Sequence, residues 1–394
     1  KKNMLNEVVI VSAVRTPLGC FMGALSNFSA VELGIQALNG ALKKINLDKK
    51  HIDELIIGHV LQAGCGQAPA KQIAIGSNLK YEIPCTSVNK VCSSGLKAIE
   101  LAAQSIQLGK NDVVVTGGVE SMSNSPHYLN LRKPTKFGDS HSVDGMLLDG
   151  LKDVYSNESM GLLADNCASK YGISREAQDD YAKSSYKKSI ISTENKIFDD
   201  EIIQLEYEDR KGKKIIIDKD EQISKVNFDK MSKLPPAFKK NGTVTAANAS
   251  PISDGASILI LMNSKKAEEL NIKPIAKIIN FQDSATSPEL FTLAPAEAIK
   301  MLAQKTSTDL NNIDLFEINE AFSMVPIVNM EILSIDRSKV NINGGAVSLG
   351  HPLGCSGARI VTTLIHSLHK NNLNQGIAAI CNGGGGASSV HIKI

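Results

Sequence analysis

No long apolar run and no excess of one charge occur in this 394-residue chain. Lysine and arginine number 43 against 41 acidic residues, for a formal net charge of +2. That balance gives no electrostatic reason to expect nucleic acid or a membrane surface as the main partner. No apolar stretch reaches the ~18 residues that a membrane span needs. The opening KKNMLNEVVIVSAVRTP turns strand-like within about seven residues, which leaves no room for a signal h-region or an Arg-rich transit helix. The expected location is therefore cytoplasmic, with a mitochondrial one open if a presequence has been removed. Cysteine is sparse: Cys20, Cys65, Cys85, Cys92, Cys167, Cys355 and Cys381. The number is odd, the positions are scattered, and no CxxC or Cys/His cluster has metal-ligand spacing, so a structural zinc is not expected. Unpaired thiols in a large chain fit a reducing compartment.

What is present is an ordinary globular composition, 42% apolar and 21% charged, at a length suited to about two or three domains. In the first third, strand-like and helix-like segments alternate. EVVIVSAV, IDELIIGHVLQAG and DVVVTGG read as strands; SAVELGIQALNGALKKI and APAKQIAIGSNL read as helices. That order predicts parallel sheet in an α/β layer architecture. Between about Glu120 and Ala249 the chain turns polar, in NLRKPTKFGDSHSVDG and YEDRKGKKIIIDKDEQ, around one amphipathic helix, SREAQDDYAKSSYKKSI. Ser174 is placed to cap that helix, with Gln178 as a loose box partner. The section reads as an excursion from the main sheet, either a solvated insertion or a substrate-binding lid. After SDGASILILM the alternation resumes and echoes the first part. DELIIGHVLQAG is answered by IDLFEINEAFS, TSVNKVCSSGLKAIELA by VNINGGAVSLGHPLGCSGARIVTTL, and DVVVTGGVESMS by GIAAICNGGGGASS. A duplicated α/β half accounts for this order.

Each half carries a reactive residue where a loop enters a helix. Cys92 precedes a helix expected over about 94–109, whose apolar positions cover most of its circumference. Such a buried helix brings an unscreened positive end to the thiol and favours thiolate. As a bare residue, Cys92 reads equally as a buried filler. His351 stands between glycine and proline just before a helix entry at Ser356–Gly357; imidazole is the usual base for a nucleophile. Cys381 ends a strand and precedes Gly383–Gly386. No lysine follows, so a phosphate loop is a poor fit, and backbone N–H groups aimed at one oxygen are the better use. Asn319 and Glu320 stand at another strand end, where an asparagine can hold a water or simply form a turn.

These segments together (VNKVCSSGLKA, GGVESMSN, NGTVTAANASPISDGAS, EINEAFS, VNINGGAVSLGHPLGCSGARIV and ICNGGGGASS) resemble thiolases, specifically the biosynthetic acetoacetyl-CoA thiolases of eukaryotic cytosolic and mitochondrial type. The resemblance implies two similar βαβαβαββ halves in a five-layered αβαβα core with an inserted loop domain. The matching boundaries are 1–120 plus 250–273 for the N-terminal half, 121–249 for the loop domain and 274–394 for the C-terminal half. It implies that Cys92 takes an acetyl group as a thioester, that His351 activates it, and that Cys381 removes the α-proton of a second acetyl-CoA. Asn319 then holds the water of one oxyanion hole, and the N–H groups of Cys92 and Gly383 form the other. Acetyl-CoA, acetoacetyl-CoA and CoA are the implied ligands, with no other cofactor needed for the chemistry and a homotetramer as the assembly. Lys225, Lys230, Ser250, Tyr186, Met160, Phe238, Ala246, Ala321 and Phe322 match coenzyme A contacts. Tyr186, Ala246, Ala247, Ala249 and Val347 match a potassium site.

Lys225 replaces a frequent arginine and lacks its flat stacking face. Ser159 stands where many relatives have histidine, which changes pocket polarity and bears on 2-methyl-branched substrates. Two other readings stay open: a degradative 3-ketoacyl-CoA thiolase, and a non-catalytic acyl-CoA-binding relative. A ketoacyl synthase is disfavoured, because Cys381 stands where those enzymes use a second histidine.

Overall fold

The computed structural model describes residues 5–132, 135–208 and 211–394. Lys133, Pro134, Asp209 and Arg210, within the two polar stretches of the excursion, and the first four residues of the opening segment lie outside the described residues. Nine strands carry the architecture: β1 (Val8–Arg15), β2 (Glu54–Gly58), β3 (Cys85–Val88), β4 (Val113–Ser121), β5 (Ser253–Asn263), β6 (Ala276–Ala285), β7 (Leu315–Ile318), β8 (Gln375–Asn382) and β9 (Gly386–Lys393). The helices that frame them are α1 (Ala30–Ile45), α2 (Pro69–Gly76), α3 (Ser94–Gln107), α4 (Met160–Lys170), α5 (Arg175–Glu194), α6 (Ala294–Thr306), α7 (Met324–Leu333) and α8 (Leu353–Lys370).

The strand order is β7-β8-β9-β6-β1-β5-β4-β2-β3. In the first half β2 runs parallel to β4, which pairs antiparallel with β5, which pairs antiparallel with β1. In the second, β7, β8, β9 and β6 repeat that sequence of one parallel and two antiparallel pairings. Even the parallel β2–β3 pairing has a counterpart, a single bridge between Phe316 and Val340. The duplication legible in the sequence is therefore a duplication of topology. The two sheets touch edge to edge only at Val9↔Lys277 and Ile10↔Ala276.

Side-chain alternation along the strands builds the layers. Val9 and Val11 pack with Leu33, Ala37, Leu38 and Ile73 of α1 and α2, whereas Val8 and Ile10 face Leu96, Ile99, Val361 and Leu364 of α3 and α8. Ala378 and Ile380 of β8 join that same central layer, while Ile377 and Ala379 face Ile299 of α6 and Val325 of α7. The order α1/α2, sheet, α3/α8, sheet, α6/α7 is the five-layered αβαβα core.

Close approach of α3 and α8 depends on glycine. A Cβ on Gly95 would stand 2.7 Å from Gly354 O, and one on Gly357 would stand 2.4 Å from Leu96 N. Two helix starts are thereby pressed together at the centre of the molecule. Two boundaries differ from the sequence reading. α3 stops at Gln107, because Gly109 adopts φ +74° and ends it. α8 begins at Leu353 rather than at Ser356–Gly357. Pro352 takes the N-cap position, and first-turn residues need no intrahelical N–H partner, so neither proline nor Gly354 obstructs the entry.

The described residues of 122–252 contribute no strand to the large sheet. Ser174 caps α5 by accepting from Ala177 N at 3.1 Å, as the sequence predicts. Gln178 does not close the box: its amide donates to Thr243 Oγ1 at 2.9 Å instead. The excursion is anchored to β1 by a buried triad, Arg15 Nε to Glu201 Oε1 at 2.6 Å and Arg15 Nη1 to Asp220 Oδ1 at 2.7 Å. Among the described residues no helix is long and apolar enough to cross a membrane.

Candidate active site

Four loops meet at the crossing of α3 and α8. The turn between β3 and α3 carries Cys92. Val91, just before it, has φ +47°, a strained conformation for a β-branched residue. Its neighbours hold the strain in place. Asn89 Oδ1 accepts from Val91 N at 2.9 Å, and Ser94 Oγ accepts from Lys90 N at 2.8 Å while donating to Val91 O at 2.6 Å. Lys90 Nζ crosses to the other half and donates to Asp283 Oδ1 at 2.7 Å and Ser388 Oγ at 2.9 Å. The Ser93 hydroxyl reaches Asn382 Oδ1 at 2.9 Å, beside Cys381. The turn holding one cysteine is thus bolted to the strand holding the other.

Cys381, second to last in β8, is buried. The next turn is held by glycine: Gly385 adopts φ +84°, and a Cβ there would lie 2.2 Å from Thr286 O. This turn brings the Gly383 N–H near the Cys92 sulfur, where it and the N–H of Cys92 itself favour the thiolate. Those are the two donors expected for an oxyanion hole.

His351 is buried, with Nδ1 2.6 Å from Ser356 Oγ. Ser356 Oγ also lies 2.9 Å from Pro352 O. A carbonyl only accepts, so the single serine proton goes to Pro352 O and Nδ1–H donates to Ser356. Nε2 is left bare, buried and without a hydrogen-bond partner. Asn319 Nδ2 stands 3.5 Å from His351 Nδ1, too far for a strong bond, and its Oδ1 is buried and unpartnered. The adjacent Glu320 carboxylate suspends this loop. It accepts from Tyr181 Oη at 2.9 Å, Asn341 Nδ2 at 3.0 Å, Ser185 Oγ at 2.7 Å and Val347 N at 3.1 Å.

Burial sets the protonation of the site. It pushes the Cys92 thiol up to about 12; the Gly383 and Cys92 N–H groups pull it down, and the charge of Glu120 adds to the rise. Desolvation thus opposes the thiolate that the sequence predicts from the helix end. Cys381 is also driven up, by burial and by the nearby Cys92. His351 is driven down to about 3 by burial, with Arg359 adding to the drop. At neutral pH all three groups rest uncharged.

Beside Val91 and Gly383, the neighbours of the two cysteines, lies a cleft of about 550 Å³ whose lining also includes Met160, Gly384 and Tyr155. Phe322 meets Phe238 edge-on at 6.3 Å between ring centres, and a Cβ on Gly161 would collide with the Phe238 ring at 2.2 Å. Ser250 Oγ donates to Ala321 O at 2.7 Å, tying the end of the excursion to the Asn319 loop. Ser159 caps α4 by accepting from Leu162 N at 3.2 Å. Lys225 and Lys230 are exposed and do not line this cleft; Lys225 pairs with Glu221 at 2.7 Å. Tyr186, Ala247 and Val347 share one small cluster, while Ala249 bridges to Phe322 and Ala246 is exposed. No hydrogen bond among the described residues claims the carbonyl oxygens of Ala246, Ala247, Ala249 or Val347. Neutral oxygens of that kind, with the Tyr186 phenol, suit potassium. Sequence reasoning assigned no role to Ser356, Lys90 or Asp283. Lys90 and Ser356 lie inside motifs quoted for their neighbours, but only the fold shows what they touch.

Comparison with known proteins agrees with this geometry. The chain matches the thiolase N-terminal domain over residues 8–265 and the thiolase C-terminal domain over 272–394. Acetyl-CoA acetyltransferase 2 of Arabidopsis thaliana is 50% identical over 391 residues, covering 98% of this chain and 97% of the relative. The crystal structure of the Bacillus anthracis acetyl-CoA acetyltransferase superposes with a TM-score of 0.97 at 38% identity, covering 100% of both chains. That of the Acat5 thiolase from Ascaris suum in complex with coenzyme A gives 0.93 at 42% identity, covering 98% and 99%. With two matching halves and a shared fold over its full length, the chain belongs to the thiolase family.

Proposed function

We propose that this chain is an acetyl-CoA acetyltransferase, joining two acetyl-CoA into acetoacetyl-CoA and CoA through an acetyl group held on Cys92. The observation that carries this reading is the meeting at one crossing of a half-buried thiol, Cys92, a buried thiol, Cys381, and an unpartnered imidazole nitrogen, with the N–H groups of Cys92 and Gly383 beside the Cys92 sulfur. A Claisen condensation needs this set: a nucleophile to store the acyl group, a base for a weakly acidic α-proton, and fixed donors for two oxyanions.

In the first half-reaction Cys92 Sγ attacks the thioester carbonyl as its proton passes to His351 Nε2. The tetrahedral oxyanion sits against the Cys92 and Gly383 N–H groups, each donor contributing roughly 3 kcal/mol. On collapse the carbon–sulfur bond to CoA breaks and the departing thiolate takes the proton of Cys381. The second half-reaction starts from acetyl-Cys92, the Cys381 thiolate and the His351 imidazolium. Cys381 removes the α-proton of a second acetyl-CoA, and the enolate oxygen is held by His351 and a water on Asn319. The α-carbon attacks the acetyl group, the Cys92 thioester breaks, and Cys92 regains its proton from His351. Kinetics are ping-pong.

Coenzyme A lies along the excursion 121–249, with Met160, Phe238, Ala321, Phe322 and Ser250 beside the pantetheine arm and Lys225 and Lys230 toward the nucleotide. The free carbonyls of Ala246, Ala247, Ala249 and Val347 with Tyr186 would hold potassium. The ion would supply a charge that fixes the segment leading into Ser250, and no chemical step passes through it.

The test is acetoacetyl-CoA thiolysis by wild type, Cys92→Ser and Cys381→Ser, with mass spectrometry of the Cys92 peptide after acetyl-CoA. Each variant is expected to lose about 10²–10⁴-fold in kcat, and only wild type and Cys381→Ser should carry acetyl at Cys92. Near-normal turnover of either variant removes that residue from the mechanism. A preference for longer 3-ketoacyl-CoAs would move the assignment to a degradative thiolase.

A further inference from the structure

Glu120 is second to last in β4, and its carboxylate is fully buried where three segments meet. Oε2 accepts from Val60 N at 3.2 Å and Gly354 N at 2.8 Å, and Oε1 accepts from Leu61 N at 3.1 Å. Gly354 is the second residue of α8, three positions after His351, so a buried anion from one half caps the helix start that carries the imidazole of the other. Facing Oε1 at 3.3 Å stands His59 Nε2, itself fully buried. Neither ring nitrogen has a partner in hydrogen-bond alignment, so the contact is one of charge.

We propose that His59 and Glu120 form a charge-balanced positioning pair: Glu120 fixes the His351 segment against the Cys92 turn, and the His59 imidazolium offsets the field of Glu120 at the Cys92 sulfur. An uncompensated carboxylate there opposes any thiolate, and its field does reach Cys92. Burial works against a cation on His59, but Cys65 and Glu120 outweigh it and raise the ring to about 9. The other titratable groups that feel Glu120 are Cys355, next to Gly354, and Asp254 on β5. The pair acts through Cys92 and His351 and touches no substrate. It rests on the acetyltransferase reading, since turnover is one of its readouts.

The experiment compares His59→Gln, Glu120→Gln and the double variant in the full chain. Iodoacetamide labelling of Cys92 is followed across pH by mass spectrometry of its peptide, beside kcat and KM in thiolysis. His59→Gln leaves Glu120 uncompensated. At pH 8 it should slow Cys92 alkylation roughly 3- to 30-fold and lower kcat, with KM held within about twofold. The double variant should recover most of the alkylation loss, which simple packing damage would not do. A double variant slower than His59→Gln overturns the proposal. If Glu120→Gln does not fold, the His59→Gln profile decides alone, and a wild-type profile refutes the charge balance. A wild-type protein without thiolysis sinks the acetyltransferase reading, while the alkylation comparison still judges the pair.

Discussion

Removing one hydroxyl tests the tautomer of His351. In Ser356→Ala the ring loses the acceptor that lies 2.6 Å from Nδ1. The Nδ1–H is then buried without a partner, because Asn319 presents an amide nitrogen at 3.5 Å and no other acceptor is paired with it. The ring escapes that cost by moving its proton to Nε2, where no partner constrains it, and the free lone pair on Nε2 disappears. Loss of a neutral hydrogen bond with a stranded donor costs about 1–3 kcal/mol. If that cost falls on the reactive tautomer, kcat drops by roughly 5- to 150-fold, since each 1.36 kcal/mol is tenfold. The ground-state grip on CoA does not involve this bond, so KM should change by less than about twofold. Thiolysis kinetics with a circular-dichroism melt reads both quantities. A folded variant with kcat within twofold of wild type, or with its whole loss in KM, refutes the assignment of Nδ1–H and leaves Ser356 as a helix-start hydroxyl.

Two further outcomes follow from the fold. His351 and His391, lowered to about 3 and about 4 chiefly by burial, are neutral when folded but take up protons on unfolding once pH falls below about 6.5. Their contribution to stability is complete above that value and declines by roughly 2–3 kcal/mol per pH unit between pH 6 and 4, with His366 acting in the same direction and Glu317, raised to about 8 by burial, offsetting about half of the fall above pH 4.5. His59, raised to about 9, is protonated in both states there and does not contribute to this slope. Urea midpoints that stay flat from pH 7 to 5 would contradict this. Gly95→Ala places a methyl 2.7 Å from the Gly354 carbonyl. Overpacking of about 1–3 kcal/mol should exceed the ~1 kcal/mol gained in helix propensity, and spreading α3 from α8 should cut thiolysis more than stability. A more stable, fully active variant would show that the helix contact is not tight.

Much of the fold was legible because it depends on local patterns. β1, β4 and β5 are continuous buried runs, and the repeated order of strand, loop-into-helix and glycine-ended strand gave the duplication. The site was legible where one residue type carries the chemistry: Cys92, His351 and Cys381 each stand at a loop expected to end or begin an element, and the fold brings those loops together. Two things were hidden. The protonation of Cys92 depends on how completely neighbours exclude water, and no spacing rule encodes that. Pairings such as Lys90 with Asp283 or Glu120 with Gly354 join residues 193 and 234 positions apart, and their partners are set by how the two halves pack together.

The neutral resting state follows from that geometry and bears on when the reaction carries charge. Two thiols and an imidazole in a common buried site could form an ion pair only by stripping water from both charges, and the shifts of Cys92 up and His351 down measure that cost. The N–H groups of Cys92 and Gly383 are already fixed by a strained turn and a glycine turn, so they need no reorganisation when an oxyanion appears. Charge then exists on the acetyl-enzyme, as the Cys381 thiolate and His351 imidazolium, and on the two oxyanions, whose donors come from both halves. The C-terminal half supplies Cys381, His351 and the Gly383 N–H, but Cys92 and its N–H come only from the N-terminal half, which is why the duplicated chain carries one composite site rather than two equivalent ones.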